Sequence, residues 1–153
     1  MNEGSVRTGL WLFDVDVFRP DSVGIVAVKT WVWPEPWLVC REPLDVVVAQ
    51  LTEAVQAANA ETKVSTVVLD GAGKAFVAGA DVKFFVDKIR SDDIPDIETF
   101  TANGHALLAA IEDSPKTTIA LTTGLALGGG LELALACDYR IGTQRTQFRF
   151  PET

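Results

Sequence analysis

Hydrophobic positions recur along the chain with two periods, and the places where the period changes mark its elements. Residues 9–17 (GLWLFDVDV) and 23–29 (VGIVAVK) are dense in Val, Ile and Trp and read as two strands, with Pro20-Asp21 at the turn between them. Residues 30–43 carry three prolines and three tryptophans, a mixture that suits an irregular loop. From residue 44 to 60 the apolar positions Leu44, Val47, Val48, Leu51, Val55 and Ala58 keep helical spacing. A strand over 64–69 runs into Gly71 and is followed by a turn-rich stretch, GAGKAFVAGAD. Asp81 is placed to cap a helix over DVKFFVDKIR, and Pro95 to open a longer one through Ile111. Residues 117–121 read as a strand, 124–130 as a turn, 131–137 as a helix, and 138–141 and 146–148 as short strands. Strands alternating with helices predict an α/β fold, and the absence of any flexible linker predicts one domain over 1–153.

Composition narrows the function classes. Hydrophobic residues make up 48% of the 153 positions and charged residues 22%, values of an ordinary globular protein. Thirteen Lys and Arg against 21 Asp and Glu leave a net charge of −8, which argues against nucleic acid as a partner. Cys40 and Cys137 make neither a disulfide framework nor a CxxC pair, and one histidine, His105, cannot supply a site needing two imidazoles, so no metal site is expected. Asp14 and Asp16 interrupt the stretch a signal peptide would need, and a cytoplasmic location is expected. The longest uncharged run, 117–131, has 15 residues, several of them glycine; a membrane span needs about 18 or more apolar residues.

Four features could carry chemistry. Glu132 is the only charge between Lys116 and Asp138, in a segment (LELALAC) apolar on every face. Burial would cost it several kcal/mol, roughly, and raise its pKa; the other reading places it in solvent at the first turn of a helix, where the dipole favours an anion. Gly128-Gly129-Gly130 at a helix start would expose backbone N–H groups able to hold a phosphate or a developing oxyanion, or would serve tight packing alone. The turn AFVAGAD, residues 75–81, offers a second close backbone approach around Gly79. Glu152, in FPET, is the fourth. Gly71-Ala-Gly-Lys74 satisfies neither GxGxxG nor a P-loop, His105 reads as a packed or surface histidine, and the tryptophans read as core or edge filling.

Taken together, GAGKAFVAGADVKFF and PKTTIALTTGLALGGGLELALACDYRIGTQRTQFRFPET resemble the crotonase, or enoyl-CoA hydratase/isomerase, superfamily. The small-residue AGAD turn, the glycine triplet with its glutamate, the CD dipeptide and the strand into PE occur in the family's order, and the resemblance runs from about Val64 to Thr153. It implies a spiral of ββα turns and acyl thioesters of coenzyme A as substrates, with coenzyme A entering as part of the substrate and no separate cofactor. By the same resemblance the backbone N–H groups of Ala78 and Gly129 form an oxyanion hole for the thioester oxygen. Ala78, Gly79, Ala80, Asp81, Gly128 and Gly129 lie against the substrate. Glu132 acts on water and Glu152 exchanges the proton at C2.

The two acids together favour a 2-enoyl-CoA hydratase of the fatty-acid β-oxidation type. A Δ3-Δ2-enoyl-CoA isomerase using Glu152 alone, or a non-catalytic acyl-CoA-binding or partner-dependent fragment, are the competing readings. The segment TWVWPEPWLVCREPLD stands where the family places a coenzyme-A-holding loop with an Asn that is missing here. Family members continue for roughly another hundred residues, the scale of a complete domain, so the reading is an incomplete crotonase-like domain truncated at its C-terminus. A trimer-based homo-oligomer is expected of a full-length version rather than of this chain.

Overall fold

The computed structural model describes residues 13–18, 24–30, 44–71, 75–79 and 82–151. The segment 31–43 with its prolines, tryptophans and Cys40, residues 72–74, and Ala80, Asp81 and Glu152 lie outside the described residues.

Two sheets grow side by side. The larger has the strand order β1-β2-β3-β5-β7 and the smaller β4-β6-β8. Strand β1 (Phe13–Phe18) pairs antiparallel with β2 (Gly24–Thr30), the two runs the sequence predicts as strands. From β2 onward every pairing is parallel: β2 with β3 (Val64–Gly71), β3 with β5 (Thr117–Thr122), and β5 with β7 (Tyr139–Gly142). In the small sheet β4 (Ala75–Val77) pairs with β6 (Leu125–Leu127), and β6 with β8 (Gln147–Arg149). Strands β4 and β6 correct the sequence reading, which took 75–77 and 125–127 as turns. Each is three residues long, too short to show a period, and exists as a strand through its pairing partner.

Among the described residues four helices connect the strands. Helix α1 (Leu44–Ala60) turns Leu51, Val55 and Ala58 into the core, as its apolar spacing predicts, with Asp45 in its first turn where the dipole favours an anion. Helices α2 (Val82–Arg90) and α3 (Ile94–Glu112) follow β4. Pro95 sits in the first turn of α3, and Lys88 Nζ at the end of α2 donates to Asp93 (2.8 Å) and to Asp96, which holds the two helices at their junction. Phe84, Phe85 and Phe100 fill the angle between these helices with ring centroids 5.3–5.8 Å apart. Helix α4 (Gly129–Ala136) follows β6 and starts two residues earlier than its apolar run suggests.

The core forms where these elements meet the sheet face carrying Val67, Leu69, Thr118, Ala120 and Thr122, residues that parallel register places side by side. Leu107 and Ile111 of α3 and Leu133 and Ala134 of α4 complete it, together with Phe76 of β4, which is 2% exposed. This is an α/β fold with parallel sheets built as successive strand–strand–helix turns.

Candidate active site

The short parallel strands β4 and β6 end side by side, and both chains turn sharply there. Gly79, two residues past β4, has φ +84°, and Gly128, directly after β6, has φ 49° and ψ −124°. Both lie in the region open to glycine and strained for any L side chain. The two turns touch: a Cβ on Gly79 would stand 2.9 Å from the carbonyl oxygen of Leu127. One residue further, a Cβ on Gly130 would lie 2.2 Å from the carbonyl oxygen of Val77. The glycine triplet therefore does packing work at Gly130, where the helix start is pressed onto β4, and turn work at Gly128. Gly129 is different: it is exposed, and among the described residues a Cβ there would meet only Glu132 Oε2, at 3.8 Å.

Gly128 forms the N-cap of α4, and its carbonyl accepts from the N–H groups of Leu131 (2.8 Å) and Glu132 (3.1 Å). Its own N–H donates to the carbonyl of Arg149 at 3.0 Å, so β8 is tied to the turn. Helix α4 buries Gly130, Leu131, Leu133 and Ala134 against its neighbours and leaves Gly129, Glu132 and Leu135 outside, one stripe at three-residue spacing. Of the two readings of Glu132, the structure takes the solvated one. The segment is apolar all round, yet Leu135, 53% exposed, shares its outer stripe.

The resulting arrangement brings five of the expected residues together. Ala78 is exposed at the end of β4, Gly79 packs on the β6 turn, and Gly128 and Gly129 open α4 with the Glu132 carboxylate folded back over the helix start. Unsatisfied N–H groups and the helix dipole make such a start locally positive. Chemically, it can accept an anionic or polarised oxygen beside a carboxylate. Glu152, Ala80 and Asp81 cannot be placed, being outside the described residues; the backbone is fixed beside Gly128 at Arg149, three residues before Glu152 in sequence. His105 is exposed on α3, away from these turns in the chain.

The opposite end of α4 holds residues to which the sequence reading gave no role. Asp138 Oδ2 accepts from the N–H (2.8 Å) and the hydroxyl (3.0 Å) of Thr118, and Thr118 Oγ1 accepts from the Asp138 N–H (2.9 Å). These donors hold the Asp138 carboxyl below the usual carboxylate range. Arg140 Nη1 donates to the carbonyls of Ala134, Leu135 and Cys137, closing the helix C-terminus. Cys137 is buried beneath, and desolvation pushes its thiol up to about 12, so it is a packing residue rather than a nucleophile. The signal for this clamp was the CD dipeptide: a charged residue directly after an apolar helix needs a partner.

A groove of about 730 Å³, lined by Thr123, Gly124, Leu125, Thr143 and Gln147, opens where β6 and β8 begin. The glycine turn lies where those strands end, so the groove lies at the opposite end of the small sheet's strands. Among the described residues no cluster of His, Cys, Asp and Glu could hold a metal ion, and no helix is long and apolar enough to cross a membrane.

Comparison with known proteins accords with this geometry. The chain is 38% identical over 104 residues to the crotonyl-CoA hydratase of Syntrophomonas wolfei, a match covering 67% of this chain and 38% of that protein. It is 36% identical over 105 residues to the fatty acid oxidation complex subunit alpha of Pseudomonas putida, covering 67% of this chain and 14% of that one. Among solved structures, an enoyl-CoA hydratase/carnithine racemase from Magnetospirillum magneticum superposes with a TM-score of 0.72 at 29% identity, over 93% of this chain and 52% of its own. The enoyl-CoA hydratase from Bacillus halodurans shares the fold with a TM-score of 0.76 at 24% identity, over 90% and 52%. The chain thus spans about half the length of these solved proteins. The family model described as enoyl-CoA hydratase/isomerase matches residues 45–153, more than half of the sequence, and the chain belongs to that family.

Proposed function

We propose that the paired turns at Ala78 and Gly129 form the oxyanion hole of a 2-enoyl-CoA hydratase site, with Glu132 and Glu152 as its acids and bases. The observation that carries this reading is the position of Glu132. Its carboxylate lies over the exposed start of α4, 3.8 Å from where a Cβ on Gly129 would be, and α4 starts where β6 ends beside β4. A thioester oxygen set between the two N–H groups would be stabilised as it gains enolate charge, and removing one such donor typically costs about 100- to 1000-fold in rate.

In this reading water adds across the C2–C3 double bond of an acyl-CoA thioester. Glu132 takes a proton from the water as its oxygen bonds to C3. The π electrons move onto the thioester oxygen, and Glu152 delivers a proton to C2, leaving the 3-hydroxyacyl product. Coenzyme A is part of the substrate, and no separate cofactor enters. The names of the relatives, a crotonyl-CoA hydratase and a fatty acid oxidation subunit, support the same substrate class.

The test is loss of the conjugated enoyl-thioester absorbance of crotonyl-CoA, followed with this chain joined in frame to the part of the Syntrophomonas wolfei protein that follows the matched stretch. Glu132→Gln and Glu152→Gln should each lower turnover by about 100-fold or more, the usual share of a general acid or base. Near-full hydration by Glu132→Gln would overturn the two-acid reading. Retained double-bond isomerisation alongside lost hydration would favour the isomerase.

A further inference from the structure

The turns after β4 and β6 hold one another by reciprocal contacts. Gly79 receives the carbonyl of Leu127: a Cβ there would lie 2.9 Å from that oxygen and 3.9 Å from Gly128 Cα. Gly130 receives the carbonyl of Val77: a Cβ there would lie 2.2 Å from the oxygen and 2.8 Å from its carbon. No L side chain fits at separations below 3.0 Å from backbone. Between these contacts lie two exposed residues. Ala78 stands between Val77 and Gly79, and Gly129 between Gly128 and Gly130. Each is thus flanked on both sides by backbone that the other turn touches.

The contact at Gly130 has a directional consequence. The Val77 carbonyl belongs to the same peptide plane as the Ala78 N–H. That peptide is trans, and in a planar trans unit the N–H points opposite to the C=O. Seating the Val77 oxygen against Gly130 Cα therefore fixes the line along which the Ala78 N–H points. Strand β4 is a weak guide for that plane, because it has three residues and its register with β6 shifts between Ala75 and Val77. The residue type at 130 follows from the contact. Helix propensity disfavours glycine at the second residue of an eight-residue helix, and the φ of Gly130 lies outside the left-handed region.

We infer that Gly130 is a positioning residue of the site: from α4 it aims the backbone N–H of Ala78, on the other turn, at the point the Gly129 N–H also serves. This role rests on the oxyanion-hole reading above and adds a residue that touches neither substrate nor reacting atoms. A misaimed donor loses most where the oxygen carries most charge. The loss therefore falls on the transition state rather than on the bound thioester.

Crotonyl-CoA hydration by the joined protein described above, with circular dichroism giving the folded fraction, tests it. Gly130→Ala should lower kcat per folded molecule by about 100-fold, the scale of a 1 Å misplacement, with KM changed by less than about threefold. Val77 supplies a second variant pair that leaves Gly130 in place and decides the matter where Gly130→Ala does not fold. Val77→Gly frees the same peptide from its Cβ and should lower kcat about 10-fold. Val77→Ala loses the same methyl groups from the core but keeps the Cβ that faces Gly130, and should recover most of that loss. Wild-type kcat in a folded Gly130→Ala, a raised KM at unchanged kcat, or equal turnover in the two Val77 variants would overturn the inference. Gly129→Pro separates the two levels. If it keeps hydration, the oxyanion-hole reading falls and the role of Gly130 with it. If it abolishes hydration while folded Gly130→Ala does not, the donor stands and the positioning role alone fails.

Discussion

The two ends of α4 use similar chemistry to opposite ends. At the C-terminal end Asp138 Oδ2 accepts twice from Thr118, and Arg140 Nη1 donates to three carbonyls. At the N-terminal end the carboxylate of Glu132 is exposed and Gly129 stands open. A short helix of eight residues is marginal by itself. Securing one end with hydrogen bonds and pressing the other onto β4 at Gly130 lets the intervening face present groups that contribute little to stability. The contrast shows which residues the fold needs and which it leaves exposed.

The sharpest way to break this arrangement is at Gly130. A Cβ there would lie 2.2 Å from the Val77 carbonyl oxygen and 2.6 Å from Val77 Cβ, and the obstacle is backbone rather than a flexible side-chain tip. Gly130→Ala should therefore push α4 away from β4 and cost about 3 kcal/mol or more, at the upper end of overpacking penalties. Urea unfolding followed by circular dichroism would show a large fall in midpoint. A midpoint close to wild type would mean that the two glycine turns are not pressed together as described.

Much of this was open to reading in the residues themselves. The period of Leu44 to Ala58 set α1, Pro95 located the start of α3 and the β-branched run at Val64 to Leu69 set β3, because each rests on local spacing. Strands β4 and β6 were not readable, since three residues show no period and their identity comes from pairing across the chain. The outward turn of Glu132 was also hidden. With Leu131, Leu133 and Leu135 around it, composition cannot say which leucine the fold leaves exposed, and packing on β4, β5 and β6 decides that it is Leu135. Asp138 was visible as a charge but not as a clamp, because Thr118 lies 20 residues earlier.

The anchored end yields an intermediate effect with a pH signature. Thr118 is 1% exposed, and its hydroxyl both donates to Asp138 and accepts from it. Thr118→Val should cost about 1–3 kcal/mol by removing a buried hydroxyl that bonds a charged group. Because the folded state depresses the Asp138 pKa, its stabilisation is complete above the ordinary carboxylate value of about 4 and is lost as pH falls through the lower folded value. The valine variant keeps the backbone N–H donor, so this acid-side loss should narrow rather than vanish. Denaturant midpoints of both proteins across that pH window measure it; an identical pH dependence would remove Thr118 Oγ1 as a cause of the shift.

The smallest expected change in stability comes from Gly129, adjacent to the most sensitive position. Its φ lies outside the left-handed range, and among the described residues the atom a Cβ would meet is Glu132 Oε2 at 3.8 Å, an ordinary contact. Gly129→Ala should be neutral or raise stability by about 0.5 kcal/mol, through the lower entropy of the unfolded chain. Gly129→Pro should also fold, since proline is accepted in the first turn of a helix and Gly128 already holds a conformation near the mirror image of polyproline II. The two variants differ in one atom that matters for a ligand: alanine keeps the N–H and proline deletes it. In the joined protein, crotonyl-CoA hydration should survive the alanine change and fall by about 100-fold or more with proline, at matched circular dichroism. Equal turnover in the two would remove the Gly129 N–H from the site while leaving its place in the fold intact.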